Sequence, residues 1–265
     1  MSQTIKFTKM HGAGNDYIFI DCRSRSVPDP AALAIRISDR HRGVGSDGLV
    51  LLQNAEGADL RMRIFNADGT EAEMCGNAAR CAARYAWDCG WVNHEPLRLQ
   101  TAAGLRILWN GPQGAVTVVM GRPAPLSGPA VQWQGQTLSR ISVGNPHGVL
   151  FCEDTETFPL QQAAEELSRK VSLNLEAVQP LGPNRLKVRV WERGSGETLA
   201  CGTGACAAAA AATLRRHCDR GQPVAVQMPG GELTVRWLAD GRMLLTGEAV
   251  YVFRGEWEEA PVCRN

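Results

Sequence analysis

The chain has 265 residues, which at about 150 residues per domain corresponds to one large domain or two smaller ones. Its 28 Lys and Arg against 27 Asp and Glu leave a net charge of +1, so the basic face of a typical nucleic-acid-binding protein is not expected. With 44% hydrophobic and 21% charged residues, the composition is that of a soluble globular protein with a substantial core.

Short strands dominate the predicted elements. Residues 59–66 and 186–191 alternate apolar and polar side chains, as half-buried strands do. In chain order we predict strand 17–21, helix 30–40, strand 59–66, helix 77–88, strands 97–101 and 115–120, helix 160–169, strand 186–191, helix 203–217, and strands 224–228 and 232–238. The predicted fold class is therefore α+β, built mostly from sheet.

No segment is typical of a membrane span or of an export signal. The most apolar run, 205–214, has ten residues, about half of the roughly 20 that cross a bilayer. The N-terminal sequence MSQTIKFTKM lacks the apolar core and the cleavage site of a signal peptide. We therefore expect a cytoplasmic protein that binds neither membrane nor nucleic acid.

The nine cysteines, at positions 22, 75, 81, 89, 152, 201, 206, 218 and 263, require separate consideration. An odd number in a long chain without an export signal argues against a disulfide framework. Because no C-x-x-C pair occurs, neither a zinc site nor a thioredoxin-like site is expected. A reduced cysteine is by default a small buried apolar side chain, and we expect this of every cysteine except Cys75 and Cys201.

An internal repeat sets these two cysteines apart. The segment CGNAARCAA beginning at Cys75 recurs loosely as CGTGACAA beginning at Cys201, an offset of 201 − 75 = 126 residues. Upstream, HGAGND around Asn15 has a weaker counterpart in GNPHG around Asn145, an offset of 145 − 15 = 130. Both offsets are close to half the chain, which indicates a duplicated α/β unit with pseudo-twofold symmetry.

Each repeat places a cysteine at the predicted start of an alanine-rich helix. The first N–H groups of a helix are unpaired and carry the positive end of its dipole, so they bind carboxylates and stabilise thiolates. Gly76 and Gly202 allow a ligand to approach the backbone closely, and Asn77 and Thr203 add side-chain donors.

This pattern indicates a class of reaction. Inverting a stereocentre without a cofactor requires a base on one face of a carbon and an acid on the other, and a thiolate and a thiol supply both. The carbanion formed requires preorganised donors at its carboxylate. The residues alone therefore predict an enzyme that inverts a small carboxylate-bearing molecule and uses neither a metal nor a cofactor.

Three further polar clusters are candidate binding groups. Asn66 begins an NADG turn at a strand end. Asn145 precedes Pro146 and so is extended, and His147 beside it is placed to tune a thiol. Arg193, after Glu192, suits either a bidentate carboxylate partner or a surface ion pair.

Two glycine-rich matches to nucleotide-binding motifs are rejected. Residues 43–48 match G-x-G-x-x-G, but a helix-like segment precedes them and a strand follows, the reverse of the dinucleotide motif. Residues 202–207 match G-x-G-x-x-A and open a helix, but the preceding predicted strand ends about ten residues earlier and no βαβ series is predicted after them.

With these residues in place, the sequence resembles the diaminopimelate epimerase family. The matching segments are KMHGAGNDYIFID (9–21), RHRGVGSDGLVLL (40–52), RIFNADGTEAEMCGNAARC (63–81), VGNPHGV (143–149), SLNLEAVQ (172–179) and RVWERGSGETLACGTGACAAA (189–209). They lie in both halves of the chain, and the two cysteine-containing segments are the most specific.

The resemblance implies a cofactor-independent enzyme that interconverts LL- and meso-2,6-diaminoheptanedioate in lysine and peptidoglycan-precursor synthesis. It implies two pseudo-symmetric lobes, each a mostly antiparallel sheet or barrel wrapped around a central helix, with the active site between them. The expected N-terminal lobe, carrying Cys75, comprises 1–123 and 250–265 and receives a final strand at 251–257. The expected C-terminal lobe, 124–249, carries Cys201. A homodimer is also expected.

The resemblance also assigns roles to individual residues. Cys75 and Cys201 are the implied catalytic pair, and His147 and Glu192 tune the thiols. The implied substrate-binding residues are Asn15, Asn66, Gly76, Asn77, Asn145, Asn174, Glu192, Arg193, Gly202 and Thr203. One departure is Gly48, where many members of the family carry Gln and others carry Gly. The contact that a Gln side chain would make is lost here, but catalysis is not put in doubt.

Three alternatives remain open from the sequence. A related two-cysteine racemase of histidine or hydroxyproline would share the thiol pair, although Asn66, Asn174 and Arg193 favour a substrate with a second amino-acid terminus. A noncatalytic binding protein would not require both cysteines. A thiol oxidoreductase would be expected to carry C-x-x-C.

Overall fold

The computed structural model describes residues 4–258 as two compact units. One comprises the described residues of Met1–Val116 and Glu248–Asn265, and the other comprises Thr117–Gly247. The expected lobe boundaries at 123/124 and 249/250 differ from this division by seven and two residues. Cys263, which we expected to be a structural thiol, lies outside the described residues.

The elements are short strands with four α-helices among the described residues. The strands are β1 Thr4–Gly12, β2 Asn15–Asp21, β3 Gly48–Gln53, β4 Leu60–Asn66, β5 Glu71–Ala72, β6 Leu97–Thr101, β7 Gly104–Asn110, β8 Val116–Gly121, β9 Ala124–Pro125, β10 Gln132–Trp133, β11 Gln136–Thr137, β12 Ser139–Ser142, β13 Pro146–Phe151, β14 Asn174–Gly182, β15 Arg185–Glu192, β16 Gly196–Thr198, β17 Pro223–Met228, β18 Gly231–Trp237, β19 Met243–Gly247 and β20 Val250–Glu258. The helices are α1 Pro30–Ser38, α2 Gly76–Asp88, α3 Leu160–Ser168 and α4 Gly202–Leu214, and a 3₁₀ turn lies at Pro112–Gly114.

Strand pairing repeats from one unit to the other. In the first unit β1–β2, β3–β4, β4–β5 and β6–β7 are antiparallel, and β2–β3 and β4–β6 are parallel. In the second unit β12–β13, β14–β15, β15–β16 and β17–β18 are antiparallel, and β13–β14 and β15–β17 are parallel. The duplicated α/β unit inferred from sequence is thus present in the pairing pattern, and the α+β fold class is confirmed.

Each unit surrounds one helix with strands. Helix α2 contacts β1, β2, β4, β6 and β7, and α4 contacts β12–β15 and β17–β19. Helix α4 is almost entirely alanine over residues 205–212, and all eight of these residues are buried. A helix that is apolar on every side has to be enclosed, and alanine allows strands to approach it closely from all directions.

A second helix packs on the outer face of each sheet. In the first unit α1 contributes Leu33, Ala34 and Ile37 to a cluster with Ile18 and Ile20 of β2. Because successive strand residues point to opposite faces, Tyr17 and Phe19 are directed to the other face of β2, away from this cluster. In the second unit α3 forms the corresponding outer cluster with Leu150 and Leu175.

The predicted helices are confirmed, with ends that differ by up to three residues. The strands β3, β13 and β14 were missed because consecutive residues, on both faces of each strand, are buried. Their sequences are therefore nearly continuous apolar runs without alternation. Helices α1, α2, α3 and α4 each lie in the connection between two parallel strands, whereas only strands follow α4 among the described residues. No helix among residues 4–258 is long and apolar enough to cross a membrane.

Candidate active site

Cys75 and Cys201 occupy equivalent positions directly before the two central helices. Each is the N-cap residue with extended backbone, at φ −135°, ψ 122° for Cys75 and φ −129°, ψ 113° for Cys201. Neither side chain forms a capping hydrogen bond, and neither first turn contains an acidic residue. The first-turn N–H groups, which include Gly76–Asn77 and Gly202–Thr203, therefore keep the positive dipole end available to an anion.

Asn15 connects the groups around Cys75. Its Oδ1 accepts hydrogen bonds from the Cys75 thiol at 3.4 Å and from Nδ2 of Asn77 at 3.1 Å. Its own Nδ2 donates to Oδ2 of Asp47 at 2.7 Å. Because a carboxylate only accepts hydrogen bonds when ionised, Asp47 fixes the amide of Asn15 with its oxygen toward the thiol.

Two basic side chains hold the carboxylates behind Asn15. Arg40 donates to Asp16 at 2.8 Å and to Asp47 at 2.9 Å, and Lys9 lies 2.8 Å from Asp16. Burial opposes ionisation of Asp16, but the bonds from Arg40 and Lys9 outweigh it and lower its pKa. This network was not predicted from the sequence, because its members are far apart in the chain. Lys9 and Asp47 are separated by 38 residues.

Tyr17 is a further side chain at this site that the sequence analysis missed. It is 6% exposed and pairs in register with Gly48. A Cβ at position 48 would lie 2.3 Å from the Phe65 carbonyl oxygen and 3.1 Å from Cε1 of Tyr17. Burial and the neighbouring Cys75 raise the pKa of Tyr17 well above its usual value, so its hydroxyl stays protonated beside the thiol. Glycine at 48 thus leaves space for this ring.

Arg80 supports Asn77 from within the core. Its side chain is fully buried, and Nη2 donates to Oδ1 of Asn77 at 2.8 Å while Nε donates to the Glu248 carbonyl at 3.3 Å. The Asn77 amide is thereby turned with its nitrogen toward Asn15. Asn66 ends β4 opposite Gly48, and its Nδ2 donates to Thr70 at 2.9 Å.

Cys201 lies beside a carboxylate. Its thiol donates to Oε2 of Glu192 at 3.3 Å and lies 3.4 Å from Oγ1 of Thr203. The other oxygen of Glu192 accepts from Thr198 at 2.7 Å. Burial raises the pKa of Cys201 well above its usual value, with additional contributions from Glu192 and Glu176. The described geometry therefore holds Cys201 as a thiol with a proton acceptor next to it.

Asn174 and Arg193 lie together at the end of β15. The backbone N–H of Arg193 donates to Oδ1 of Asn174 at 3.0 Å, and Asn174 is 5% exposed. The exposed guanidinium of Arg193 donates to Oγ of Ser172 at 3.1 Å, a neutral partner. A carboxylate is a stronger partner for guanidinium than a hydroxyl, so this arrangement suits a ligand carboxylate.

His147 is enclosed between Asn145 and Glu176. Its Nε2 lies 3.0 Å from Oδ1 of Asn145, and its Nδ1 lies 2.6 Å from Oε1 of Glu176. His147 and Glu176 are both fully buried. Glu176 was not predicted as a site residue, although a charged residue between apolar neighbours, two positions after Asn174 on a strand, is a readable signal for it.

The repeat makes the two groups of residues comparable position by position. The chain offset of 130 pairs Asn15 with Asn145 and Tyr17 with His147. In the parallel strand pairs, Gly48 lies opposite Tyr17 and Asn174 lies opposite His147, so Gly48 and Asn174 occupy equivalent positions. The offset of 126 pairs Asn66 with Glu192 and Cys75 with Cys201. The same backbone framework thus carries different polar side chains in each unit.

The other described cysteines form no disulfide and lie outside these two groups. Burial raises the pKa of Cys81 to about 12 and that of Cys152 to about 11. Within residues 4–258 no three His, Cys, Asp or Glu side chains are grouped as metal ligands would be.

Comparison with known proteins identifies the family. The sequence profile of the diaminopimelate epimerase family, described as "Diaminopimelate epimerase", matches residues 7–125 and 139–252. The chain belongs to this family. Diaminopimelate epimerase of Acetivibrio thermocellus is 41% identical over 276 residues, covering 95% of this chain and 98% of the relative. Diaminopimelate epimerase of Bacteroides thetaiotaomicron is 44% identical over 270 residues, covering 97% and 100%.

The fold of this diaminopimelate epimerase family member also occurs in a distant solved structure. A phenazine biosynthesis protein of the PhzF family from Bacillus anthracis superimposes with a TM-score of 0.76 at 16% identity, covering 98% of this chain and 100% of the other. At this identity the likeness shows the fold alone.

Proposed function

We propose that this chain interconverts LL- and meso-2,6-diaminoheptanedioate by two-thiol proton transfer. The observation that carries the proposal is the pair of cysteines at equivalent N-cap positions, each directly before a central helix. Binding a carboxylate requires the helix ends but not the thiols, so the recurrence of a cysteine at both helix starts favours catalysis over simple binding.

The proposed step is balanced by one proton at each sulfur. The thiolate of one cysteine removes the α-proton and becomes a thiol. The thiol of the other cysteine then donates its proton to the opposite face of the carbon and becomes the thiolate. We assign stabilisation of the charge that develops on the substrate carboxylate to the first-turn N–H groups that follow the two cysteines, because they carry the positive ends of the helix dipoles.

Glu192 is the group proposed to ionise Cys201. It accepts the Cys201 hydrogen bond at 3.3 Å, and a carboxylate can also accept the proton. Cys75 instead faces the amide oxygen of Asn15, which is not basic. We therefore assign to Glu192 the role of accepting the Cys201 proton in the direction of reaction in which Cys201 acts as the base.

The far end of the substrate is assigned to Asn66, Asn174 and Arg193. Arg193 contacts the neutral Ser172 and so has donors suited to a second carboxylate. Asn174 positions the Arg193 backbone through a 3.0 Å bond. A substrate with an amino-acid group at each end uses all three residues.

We further propose a homodimer in the cytoplasm. Strand β20 exposes Val252 and Phe253 at 50% and 45%, and large exposed apolar side chains on one strand favour self-association. The two-thiol step requires reduced cysteines, which the cytoplasm maintains. Light scattering of purified protein should give twice the chain mass, and Val252→Lys should shift it toward the monomer.

The test of the activity is incubation of purified protein with LL-diaminopimelate in D2O without added cofactor. Proton NMR should show loss of the α-proton signal and formation of the meso isomer. Exchange that continues after dialysis against a chelator supports the proposal. A substrate signal that stays unchanged, while another amino acid exchanges, would contradict the substrate assignment.

A further inference from the structure

Arg80 is a fully buried cation on helix α2, three residues after Asn77. A charge in such a place is costly unless it is hydrogen-bonded. Its Nη2 donates to Oδ1 of Asn77 at 2.8 Å, and its Nε donates to the Glu248 carbonyl at 3.3 Å. Gly12 leaves space for the guanidinium, since a Cβ there would lie 3.0 Å from Nη2. The surrounding structure thus holds an arginine against the Asn77 amide.

Arg80 sets the direction of the hydrogen bonds that follow it, because a guanidinium has donors and no acceptor. Asn77 must turn its oxygen toward Arg80, which leaves its Nδ2 to donate to Oδ1 of Asn15 at 3.1 Å. Asn15 in turn directs its own Nδ2 to Oδ2 of Asp47 at 2.7 Å. These four residues form the amide chain. Since arginine stays protonated in proteins, the direction of the amide chain does not depend on the titration of Arg80.

The amide chain determines which atom of Asn15 meets the Cys75 thiol. Oδ1 of Asn15 accepts the thiol hydrogen bond at 3.4 Å, while its NH2 group is engaged by Asp47. A hydrogen bond favours the protonation state that can form it. An amide oxygen therefore keeps the thiol ready to donate its proton. An NH2 group in that place would stabilise the thiolate and weaken it as a base.

We infer that Arg80 is a positioning residue for proton transfer, which acts through Asn77 to turn the oxygen of Asn15 toward Cys75. The inference rests on the proposed function in one respect, namely that Cys75 transfers a proton. If Arg80 is lost, Asn77 is free to turn over, and the Asn15 amide loses the donor that selects its orientation from this side.

The second unit has no arginine at the equivalent position. The offset of 126 residues places Cys206 where the first unit has Arg80. The Cys201 thiol donates to the carboxylate of Glu192, which offers an acceptor whichever way it turns. An amide has two unlike ends, so a donor-only residue that selects one of them is required only beside Cys75.

The first test is NMR of the full-length protein with labelled asparagine side chains, without substrate. The Asn15 signal is assigned by its loss in Asn15→Ala. We expect Arg80→Met to shift the Asn15 NH2 signal, and Arg80→Lys, which keeps a cation without an acceptor, to leave it close to that of the wild type. An Asn15 signal that is the same in the wild type and in folded Arg80→Met would overturn the inference.

The second test is a double-mutant cycle on the turnover of LL-diaminopimelate. Arg80→Met should lower kcat by about 10- to 100-fold, the loss expected when a reacting group is misplaced, with KM changed only a few-fold. Arg80→Lys should recover most of kcat. In the Asn15→Ala background Arg80→Met should add little, because both changes remove the same oxygen from the thiol. Fully additive effects, or a lysine variant as slow as the methionine variant, would contradict the inference.

Asn77→Ala breaks the amide chain without removing the buried arginine, so it provides the test if Arg80→Met does not fold. Alanine keeps the backbone N–H at this position and is compatible with the helix. This variant should shift the Asn15 signal and lower kcat to a similar extent. Turnover by Asn77→Ala at the wild-type rate would count against the inference.

Arg84→Met is the matched control, with the same substitution on the same helix. Arg84 lies four residues after Arg80 and donates to Asp88 at 2.7 Å, so its loss should change neither the Asn15 signal nor kcat. A protein whose Asn15 signal responds to the Arg80 variants as expected, but which does not turn over diaminopimelate, would refute the proposed function and leave the Arg80 arrangement supported.

Discussion

The two candidate catalytic thiols differ in the group that accepts their hydrogen bond. Cys75 donates to the Asn15 amide oxygen, whereas Cys201 donates to the Glu192 carboxylate. The Asn15 amide is oriented by Asp47, and the raised pKa of Cys201 follows from burial first and from Glu192 and Glu176 next. Equivalent backbone positions thus give two thiols with different local chemistry.

Replacing either thiol should abolish epimerisation. Cys75→Ala and Cys201→Ala each remove one acid–base group, which contributes roughly 10²- to 10⁴-fold. Each variant should still exchange the α-proton of one configuration with D2O, and the two should prefer opposite configurations. Chiral chromatography and NMR measure both quantities. Cys152→Ala is the control, and near-normal inversion by either active-site variant would disprove the two-thiol step.

Arg193 provides a test of the substrate's second carboxylate. Arg193→Ala should weaken binding by about 2 kcal/mol, roughly 30-fold in KM, because a hydrogen bond to a charged group is lost. Arg193→Lys should recover little, since it lacks the planar fork of donors. Arg185→Ala, an exposed arginine at the opposite end of β15, is the control. Unchanged kinetics in Arg193→Ala would mean that another residue holds this carboxylate.

At the scale of elements, the duplication allows residues at equivalent helix and strand positions of the two units to be compared. Position 204 in α4 is glycine, and its counterpart 204 − 126 = 78 in α2 is alanine. Strand register pairs Glu176 of β14 with Val50 of β3. The second unit therefore has a buried carboxylate at the strand position and glycine at the helix position, whereas the first unit has valine and alanine there.

This pairing predicts the stability of matched variants. Gly204→Ala should lower the free energy of unfolding by about 1–3 kcal/mol, because the new Cβ overlaps the Glu176 carboxylate. Glu176→Val removes the carboxylate that the new Cβ meets, so Gly204→Ala should cost less in the Glu176→Val background than in the wild type. Urea denaturation gives both values. Ala78→Gly should cost only about 0.5–1 kcal/mol from helix propensity, and a Gly204→Ala variant as stable as wild type would contradict the proposed contact.

At the scale of the whole molecule, buried thiols should make the fold sensitive to alkaline pH. Burial raises the pKa of Cys81 to about 12, against about 8.5 in an unfolded chain. Between these values the folded state binds more protons than the unfolded state, so stability falls as pH rises. The stabilisation is complete below about pH 8.5 and is lost progressively above it.

Urea denaturation at pH 7.5, 9 and 10.5 measures this dependence. The free energy of unfolding should decrease over the series, and Cys81→Ala should flatten the decrease by up to about 1.4 kcal/mol per pH unit. Cys89→Ala, which removes an exposed thiol, should flatten it less. A slope that is the same in Cys81→Ala and wild type would show that Cys81 does not titrate differently on folding.

The sequence alone determined the features that are local or repeated. An alanine-rich run after Cys-Gly specifies a helix and its open N-terminus, because helix propensity and the unpaired first-turn N–H groups are properties of a few neighbouring residues. The offset of 126 residues between Cys75 and Cys201 predicted the duplication that strand pairing shows. The family followed from the same segments.

Only the tertiary structure decided which polar groups meet. Asp47 reaches Asn15, Gly48 leaves space for Tyr17, and Glu176 reaches His147, in each case through the parallel pairing of strands joined by a helix. The physical reason is that side-chain orientation and burial depend on register between strands that lie some 30 residues apart. A local pattern identifies a buried charge as unusual, but the partner that balances it is set by the fold.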